Sequence, residues 1–226
     1  MAPPITSHER PRRTTVRTPL RPIIGILLAA GYSRRYGAEK LLEPLPYNLP
    51  HADRGTPVAL AAAQSLRTAC DLVLAVVRPG SPASVLLGHE GIALVPVATD
   101  PEPGLGDSLS TGIRRSLAFD PLGWVVALAD MPFIHPDTSR AVAAALRKGA
   151  AVAAPVYQGR RGHPVAFARN FETDLSSLSG DQGARHLILQ SDTRLVEVND
   201  PGCLVDLDHS ADWPAAWPGP RPSNPA

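Results

Sequence analysis

The feature that most constrains the fold is a regular alternation of short apolar segments with longer segments rich in Ala and Leu. Ile23–Ala29, which reads IIGILLA, is typical of a strand buried on both faces, and 58–68, which follows Pro57, is typical of a helix. The alternation continues to about residue 207. Because parallel strands are joined by crossovers that are usually helices, this order predicts an α/β fold with a mostly parallel sheet covered on both faces.

The alternation is confined to the middle of the chain. We predict a folded domain over 22–213 between a tail at 1–21, rich in Pro and Arg, and a Pro-rich tail at 214–226. The predicted strands are 23–29, 72–77, 92–97, 124–129, 151–156, 165–167, 194–198 and 204–207, and the predicted helices are 58–68, 81–87, 108–118, 136–147, 170–177 and 183–190.

Charge and apolar length exclude several classes of protein. The formal net charge of +1 argues against a nucleic-acid binder, which usually carries a strong basic excess. No segment approaches the ~20 apolar residues of a membrane-spanning helix. The apolar run at 23–30 is short and is followed at once by basic residues, so we interpret it as a buried strand and not as a secretory signal. We therefore predict a cytoplasmic protein with no membrane or nucleic-acid partner.

The loop after the first strand suits a triphosphate. Residues 28–42 read LAAGYSRRYGAEKLL. Small residues and glycines let backbone N–H groups approach an anion closely, and Arg35 and Lys40 add positive charge. The spacing of Gly31 and Gly37 matches neither the dinucleotide-binding motif GxGxxG nor the P-loop GxxxxGK[ST]. From this loop alone, a solvated surface loop is the alternative interpretation.

An aspartate ends a later apolar strand. Residues 124–133 read WVVALADMPF and place Asp130 at the carboxyl end of that strand. A hard oxygen ligand there suits Mg²⁺, which typically takes one or two protein carboxylates together with substrate phosphates. The alternative is a turn or helix-capping aspartate.

Two glycine-rich turns are predicted to begin helices. PGLGDSLSTGI at 103–113 places Ser108 near a helix N-terminus, where plain capping is the alternative role. In SGDQGAR at 179–185, Asp181 is predicted to cap a helix whose free N–H groups would favour an anion. The alternative for Arg185 is a surface position.

Two further segments carry candidate polar residues. YQGRRGHPV at 157–165 contains Arg161 and His163, and a histidine on its own is more often structural than functional. LVDLDHSAD at 204–212 is predicted to begin as a strand, so Asp206 and Asp208 would point to the same face.

Together and in this order, these motifs resemble the molybdenum cofactor cytidylyltransferase family of molybdopterin nucleotidyltransferases. The resemblance rests on LAAGxSxRxGxxKLL, ADMP, YxGxRGHPV and GDxGAR and extends over about 23–212. It implies a Rossmann-like three-layer nucleotidyltransferase domain. Three features depart from the family pattern: Tyr36 stands where methionine is usual, the TPE of the closing motif is replaced by HSA, and 46–54 is an insertion. Insertions are tolerated on protein surfaces, and none of the motifs indicates a role for this one.

The resemblance also implies roles for individual residues. Arg35 and Lys40 would neutralise the phosphates in catalysis, and Asp130 would bind Mg²⁺ together with Asp208 or, alternatively, Asp206. The implied nucleotide-binding residues are Leu28, Ala29, Ala30, Gly31, Ser33, Gly37 and Ser108. The implied residues around the second substrate are Arg161, His163, Asp181 and Arg185.

The implied reaction joins a nucleoside monophosphate from an NTP to the terminal phosphate of molybdopterin and releases pyrophosphate. LAAG and RGHP look more like the cytidylyl branch than the guanylyl branch, which tends to LAGG, so CTP is the expected nucleotide. A guanylyltransferase that uses GTP and a non-catalytic cofactor chaperone are the alternatives. A molybdoenzyme would receive the product.

Overall fold

A computed structural model describes residues 21–32, 39–100 and 102–214. The predicted tails lie outside the described residues except for Arg21 and Pro214. Three candidate site residues, Ser33, Arg35 and Gly37, also lie outside them. Their predicted roles stay predictions.

The described residues form one mixed sheet. Its strands are β1 Ile23–Ala29, β2 Leu72–Val77, β3 Ala93–Pro96, β4 Gly123–Leu128, β5 Val152–Tyr157, β6 Arg160–Arg161, β7 Val165–Ala168 and β8 Thr193–Glu197. Their order is β3-β2-β1-β4-β7-β5-β6, and β8 also pairs with β5. The β2–β1, β1–β4, β2–β3 and β5–β8 pairs are parallel, whereas β7 runs antiparallel between β4 and β5. The predicted mostly parallel sheet is confirmed.

Helices cover both faces of this sheet. They are α1 Val58–Arg67, α2 Pro82–His89, α3 Leu105–Ser116, α4 Pro136–Arg147, α5 Glu172–Ser176 and α6 Arg185–Gln190. Successive side chains of a strand point to opposite faces, so β1 contributes Ile23 and Leu27 to a core shared with α1 and α4. It contributes Ile24 and Ile26 to a second core shared with α3. The structure is therefore three-layered, as predicted.

The predicted strand at 204–207 is wrong. Pro201–Leu204 is a 3-10 helix, and no strand follows it in the described residues. The Cys203 carbonyl accepts a 2.9 Å bond from the His163 N–H, whereas the Leu207 N–H donates a 3.1 Å bond to the Asp130 carbonyl. These isolated bonds to two different loops replace a ladder, so Asp206 and Asp208 do not share a strand face.

Asp181 does not cap a helix, which corrects a second prediction. Helix α6 begins at Arg185 with Ala184 at its N-cap and no side-chain capping bond. Asp181 instead lies in an exposed turn. The segment SGDQG forms turns because Gly180 adopts a positive φ of 57°, which delays the start of the helix.

The 46–54 insertion is partly buried. Leu49 and Ala52 are each only 7% exposed and belong to the core that contains α1. The insertion is thus anchored in the domain and is not a loop that only covers its surface.

Candidate active site

The candidate site lies at the carboxyl edge of the parallel strands. Gly31 follows β1, Arg78 follows β2 and Asp130 follows β4. The chain runs from β1 outward to β2 and β3 and then returns to place β4 on the other side of β1. Ligands of such sheets bind in the crevice outside the strand ends at this switch point.

Lys40 and two carboxylates form the charged centre of this edge. Lys40 Nζ donates to Asp130 Oδ2 at 2.8 Å and to Asp208 Oδ1 at 3.2 Å. The 3-10 turn Lys40–Leu42 buries both Leu41 and Lys40. The Lys40 side chain is only 11% exposed. Burial alone would lower the pKa of Lys40, but the two carboxylates outweigh burial and raise the pKa above 10.5. Lys40 is therefore a fixed cation at neutral pH.

Asp130 and Asp208 are brought together by the backbone. The Leu207 N–H donates to the Asp130 carbonyl, and this bond places the next residue, Asp208, beside Lys40. Asp206 is exposed and acts electrostatically on His163 instead. The sequence left open whether Asp206 or Asp208 is the second candidate metal ligand. The geometry groups Asp208 with Asp130.

The donor set beside Lys40 fits a divalent cation. Asp130 Oδ1 is buried and has no hydrogen-bond partner among the described residues. These residues contain no group of three or more His, Cys, Asp or Glu side chains placed to hold a metal. A site of two carboxylates completed by substrate phosphates is the arrangement that Mg²⁺ accepts.

A cavity of about 250 Å³ opens beside this centre. Its wall contains Lys40 and Asp130 and the predicted nucleotide-binding residues Leu28, Ala29, Ala30, Gly31 and Ser108. The first turn of α3 closes the other side, and the Ser108 hydroxyl there donates to the Gly104 carbonyl at 3.1 Å. Gly104 packs so tightly that an added Cβ would lie 2.2 Å from the Gly180 carbonyl. The cavity thus depends on the contact between these two glycine-rich turns.

A second cavity of about 370 Å³ adjoins the first. Leu28, Leu105 and Leu128 line both cavities, so the two share part of an apolar wall. The second cavity also contains all four residues predicted for the second substrate, Arg161, His163, Asp181 and Arg185. The structure therefore brings together residues from segments that are distant in the sequence.

The backbone of His163 is held by Cys203, which directly precedes the segment predicted as the last strand. Its N–H donates to the Cys203 carbonyl at 2.9 Å, and an added Cβ on Gly162 would lie 2.2 Å from that same oxygen. Burial lowers the pKa of His163, and Arg161 lowers it further, although Asp130 and Asp206 oppose the shift. The lowered pKa favours the neutral imidazole at pH 7.

Arg78 is a site residue that the sequence reasoning missed. Its guanidinium lies 4.1 Å from the centroid of the Tyr32 ring, 3.8 Å from a Glu39 carboxylate oxygen and 3.4 Å from the Gly31 carbonyl oxygen. Gly31 and Glu39 belong to the two ends of the predicted phosphate-binding loop, so Arg78 connects those ends. Its position directly after β2, at the same edge as Gly31, is the signal that could have identified it.

A mostly parallel sheet with a fixed cation, paired carboxylates and two adjoining cavities at its switch point is the arrangement expected of a nucleotide-dependent transferase. The chain belongs to the family of the MobA-like NTP transferase domain, whose model matches residues 25–195. The chain is a nucleotidyltransferase, and the predicted resemblance to molybdopterin nucleotidyltransferases is confirmed at the level of this family.

Individual relatives agree with this assignment. The chain is 30% identical to the purine catabolism protein PucB of Bacillus subtilis over 82% of its length and 91% of that protein. It is 28% identical to a probable molybdenum cofactor guanylyltransferase of Mycobacterium tuberculosis over 84% of its length and 90% of that protein. The manganese complex of Rv0371C from M. tuberculosis is 26% identical and superposes with a TM-score of 0.66, covering 84% of this chain and 95% of that one.

Within the described residues, none of the helices has the length and apolar character needed to cross a membrane.

Proposed function

We propose that the protein transfers a nucleoside monophosphate, preferably CMP, from an NTP to the terminal phosphate of molybdopterin and releases pyrophosphate. The observation that carries the proposal is the pair of adjoining cavities, with Lys40 and Asp130 at the wall of the first and Asp208 bonded to Lys40. One substrate in each cavity would place the two reacting phosphates near this charged centre. The mycobacterial relatives are named molybdenum cofactor guanylyltransferases, which supports the molybdenum cofactor as the acceptor.

The protein would act on the nucleotide by electrostatic stabilisation. Negative charge builds up on the α-phosphate and the leaving pyrophosphate in the transition state, and a preorganised cation in a partly buried site stabilises that charge. Lys40 is such a cation, since two carboxylates hold it charged and in place. Arg35 is proposed to add a second positive charge, and the backbone at Ala30 and Gly31 to approach the phosphates.

Asp130 and Asp208 are the residues proposed to hold Mg²⁺. The buried, unpaired Asp130 Oδ1 supports this role, as does the manganese complex of a similar protein. When bound, the ion would supply charge neutralisation at the phosphates. The bond from Lys40 to Asp130 Oδ2 would help to hold this carboxylate in place for the ion.

The second cavity suits an acceptor that combines a flat ring system with an anionic group. Its inner wall is apolar and includes Val165, Phe167 and Ile188, against which a ring system can pack. Arg161 and Arg185 supply two cations at its rim, and arginine suits phosphate recognition. The acceptor phosphate is already anionic, so the reaction needs no general base.

CTP and GTP are the two candidate nucleotide substrates. The residues Ala29 and Ala30 belong to the LAAG pattern that favours CTP, whereas the mycobacterial relatives are named guanylyltransferases, which favours GTP as the second candidate. A tenfold preference requires only about 1.4 kcal/mol of difference in transition-state binding. Competition between equal concentrations of CTP and GTP would decide, and a mainly guanylyl product would overturn our preference.

Pyrophosphate release tests the proposal as a whole. The purified protein is incubated with molybdopterin, Mg²⁺ and each NTP in turn, and release with CTP above that with the other nucleotides is expected. A protein that binds molybdopterin but releases no pyrophosphate with any NTP would be a cofactor chaperone, and the proposed activity would then be wrong. A molybdoenzyme that accepts the product in the same mixture would identify the recipient. Cell fractionation tests the proposed cytoplasmic location.

A further inference from the structure

The 46–54 insertion contacts the loop that carries Asp130. We infer that His51 is a positioning residue, which holds the 131–133 segment through a hydrogen bond and thereby fixes Asp130 for metal binding. This inference rests on the proposed metal role of Asp130. It assigns a function to a segment that none of the sequence motifs explains.

The contact between the insertion and this loop is specific. His51 Nε2 lies 3.1 Å from the Pro132 carbonyl oxygen, and a carbonyl only accepts, so the imidazole donates. Beside it, the rings of Tyr47 and Phe133 lie 6.2 Å apart between centroids. Burial lowers the pKa of His51 to about 4, so the ring is neutral at pH 7 and its proton on Nε2 is used in this bond.

The insertion itself is anchored by backbone hydrogen bonds and by buried side chains. Leu49 and Ala52 exchange two backbone hydrogen bonds, of 2.7 and 3.3 Å, in the turn that presents His51. Both side chains are buried in the core. The Leu45 N–H also donates to the Thr56 carbonyl at 2.9 Å and closes the base of the segment. His51 is therefore presented by an anchored turn.

The same loop is also fixed by a separate segment. Asp200 accepts a 2.8 Å hydrogen bond from the His135 N–H. An added Cβ on Gly202 would lie 2.0 Å from the Phe133 carbonyl oxygen, so the two backbones touch there. The loop after Asp130 is thus held both by His51 and by the 200–202 segment.

Removing the His51 donor would remove one of the contacts that hold this loop. The Pro132 carbonyl would then lose its bond to the insertion, and Asp130 lies only two residues earlier. Misplacement of a catalytic group by about 1 Å can cost about 100-fold in rate. Loss of a residue that orients a metal ligand typically costs 10–100-fold, roughly, in metal affinity or activity.

The test compares two substitutions of similar shape. His51→Gln keeps an N–H donor, whereas His51→Met has a similar length and no donor. Mn²⁺ binding is measured by electron paramagnetic resonance on the full chain, together with kcat and the Mg²⁺ concentration that gives half-maximal activity. We expect His51→Met to weaken Mn²⁺ binding about tenfold and to raise that Mg²⁺ concentration by a similar factor. His51→Gln should recover most of the loss.

Tyr47→Phe is the matched control in the same segment. The Tyr47 hydroxyl is buried and has no hydrogen-bond partner among the described residues, so its removal should leave Mn²⁺ binding within twofold of the unchanged protein. If His51→Met does not fold, His51→Leu replaces it in the comparison with His51→Gln.

The inference is overturned if the donor-free variant has a lower melting temperature but binds Mn²⁺ as the unchanged protein does, because His51 would then be only structural. It is also overturned if His51→Gln is as impaired as His51→Met. Failure of the proposed function looks different: no pyrophosphate is released by the unchanged protein, while the Mn²⁺ comparison still decides the role of His51.

Discussion

Replacing Lys40 by methionine tests the charged centre of the site most directly. Methionine keeps most of the buried apolar stem and removes the ammonium group, so packing in the 3-10 turn is largely preserved. The lost interactions are the bonds of 2.8 Å to Asp130 and 3.2 Å to Asp208, in a side chain that is 11% exposed and therefore little screened by solvent. The two carboxylates would then lack the cation that lies between them.

The expected size of the effect follows from this geometry. Two unit charges about 3 Å apart attract by about 5–6 kcal/mol at an effective dielectric constant of about 20. Much of this energy compensates the burial of the lysine and is absent from the net effect. Removing one preorganised group that stabilises transition-state charge typically costs about 3–4 kcal/mol, so we expect kcat to fall roughly 10²–10³-fold.

The assay is single-turnover pyrophosphate release with saturating NTP and acceptor. Lys148→Met is the matched control, because Lys148 is exposed at the end of α4 and outside both cavities of the site. It should retain full activity. Excess Mg²⁺ should not restore Lys40→Met, since added metal ion does not replace the lost ammonium group. A variant that keeps more than about a third of kcat, or that excess Mg²⁺ restores fully, would refute the assignment of Lys40.

Four further outcomes are expected. Asp130→Asn should lower activity and be partly restored by raising Mg²⁺ in a titration, because its shape is kept and its charge is lost. Arg78→Met should raise the KM for the NTP more than it lowers kcat in steady-state kinetics, since Arg78 holds the ends of the loop and lies outside both cavities. Asp200→Ala should destabilise the fold by about 3 kcal/mol in urea unfolding, because three donors lie within 2.9 Å of its buried carboxylate. Stability should fall as the pH drops from 6.5 towards 4, because His51 and His163 have folded pKa values below their unfolded values and the unfolded chain binds the protons first. The variant His51→Gln should show a smaller fall, and an unchanged fall would contradict the contribution of His51.

Local sequence patterns predicted most of the architecture. The bounds of β1, Ile23–Ala29, and of α4, Pro136–Arg147, match the prediction, because apolar periodicity and a proline at the first helical position act within a few residues. The position of Asp130 at the carboxyl edge also followed from sequence, since parallel strands joined by helices end at one edge. The motif resemblance supplied the family, which the match over residues 25–195 confirms.

Only the tertiary structure decided which charged groups meet. Lys40 contacts Asp130 across 90 positions of sequence and Asp208 across 168, and no local pattern distinguishes Asp208 from Asp206. The bond from the Leu207 N–H to the Asp130 carbonyl, made where a strand was predicted at 204–207, places Asp208 beside Asp130. The contact of His51 with Pro132 is likewise invisible in the sequence. Local propensities determine helices and strands, whereas the site is assembled by packing between segments whose separation along the chain carries no information about their distance in space.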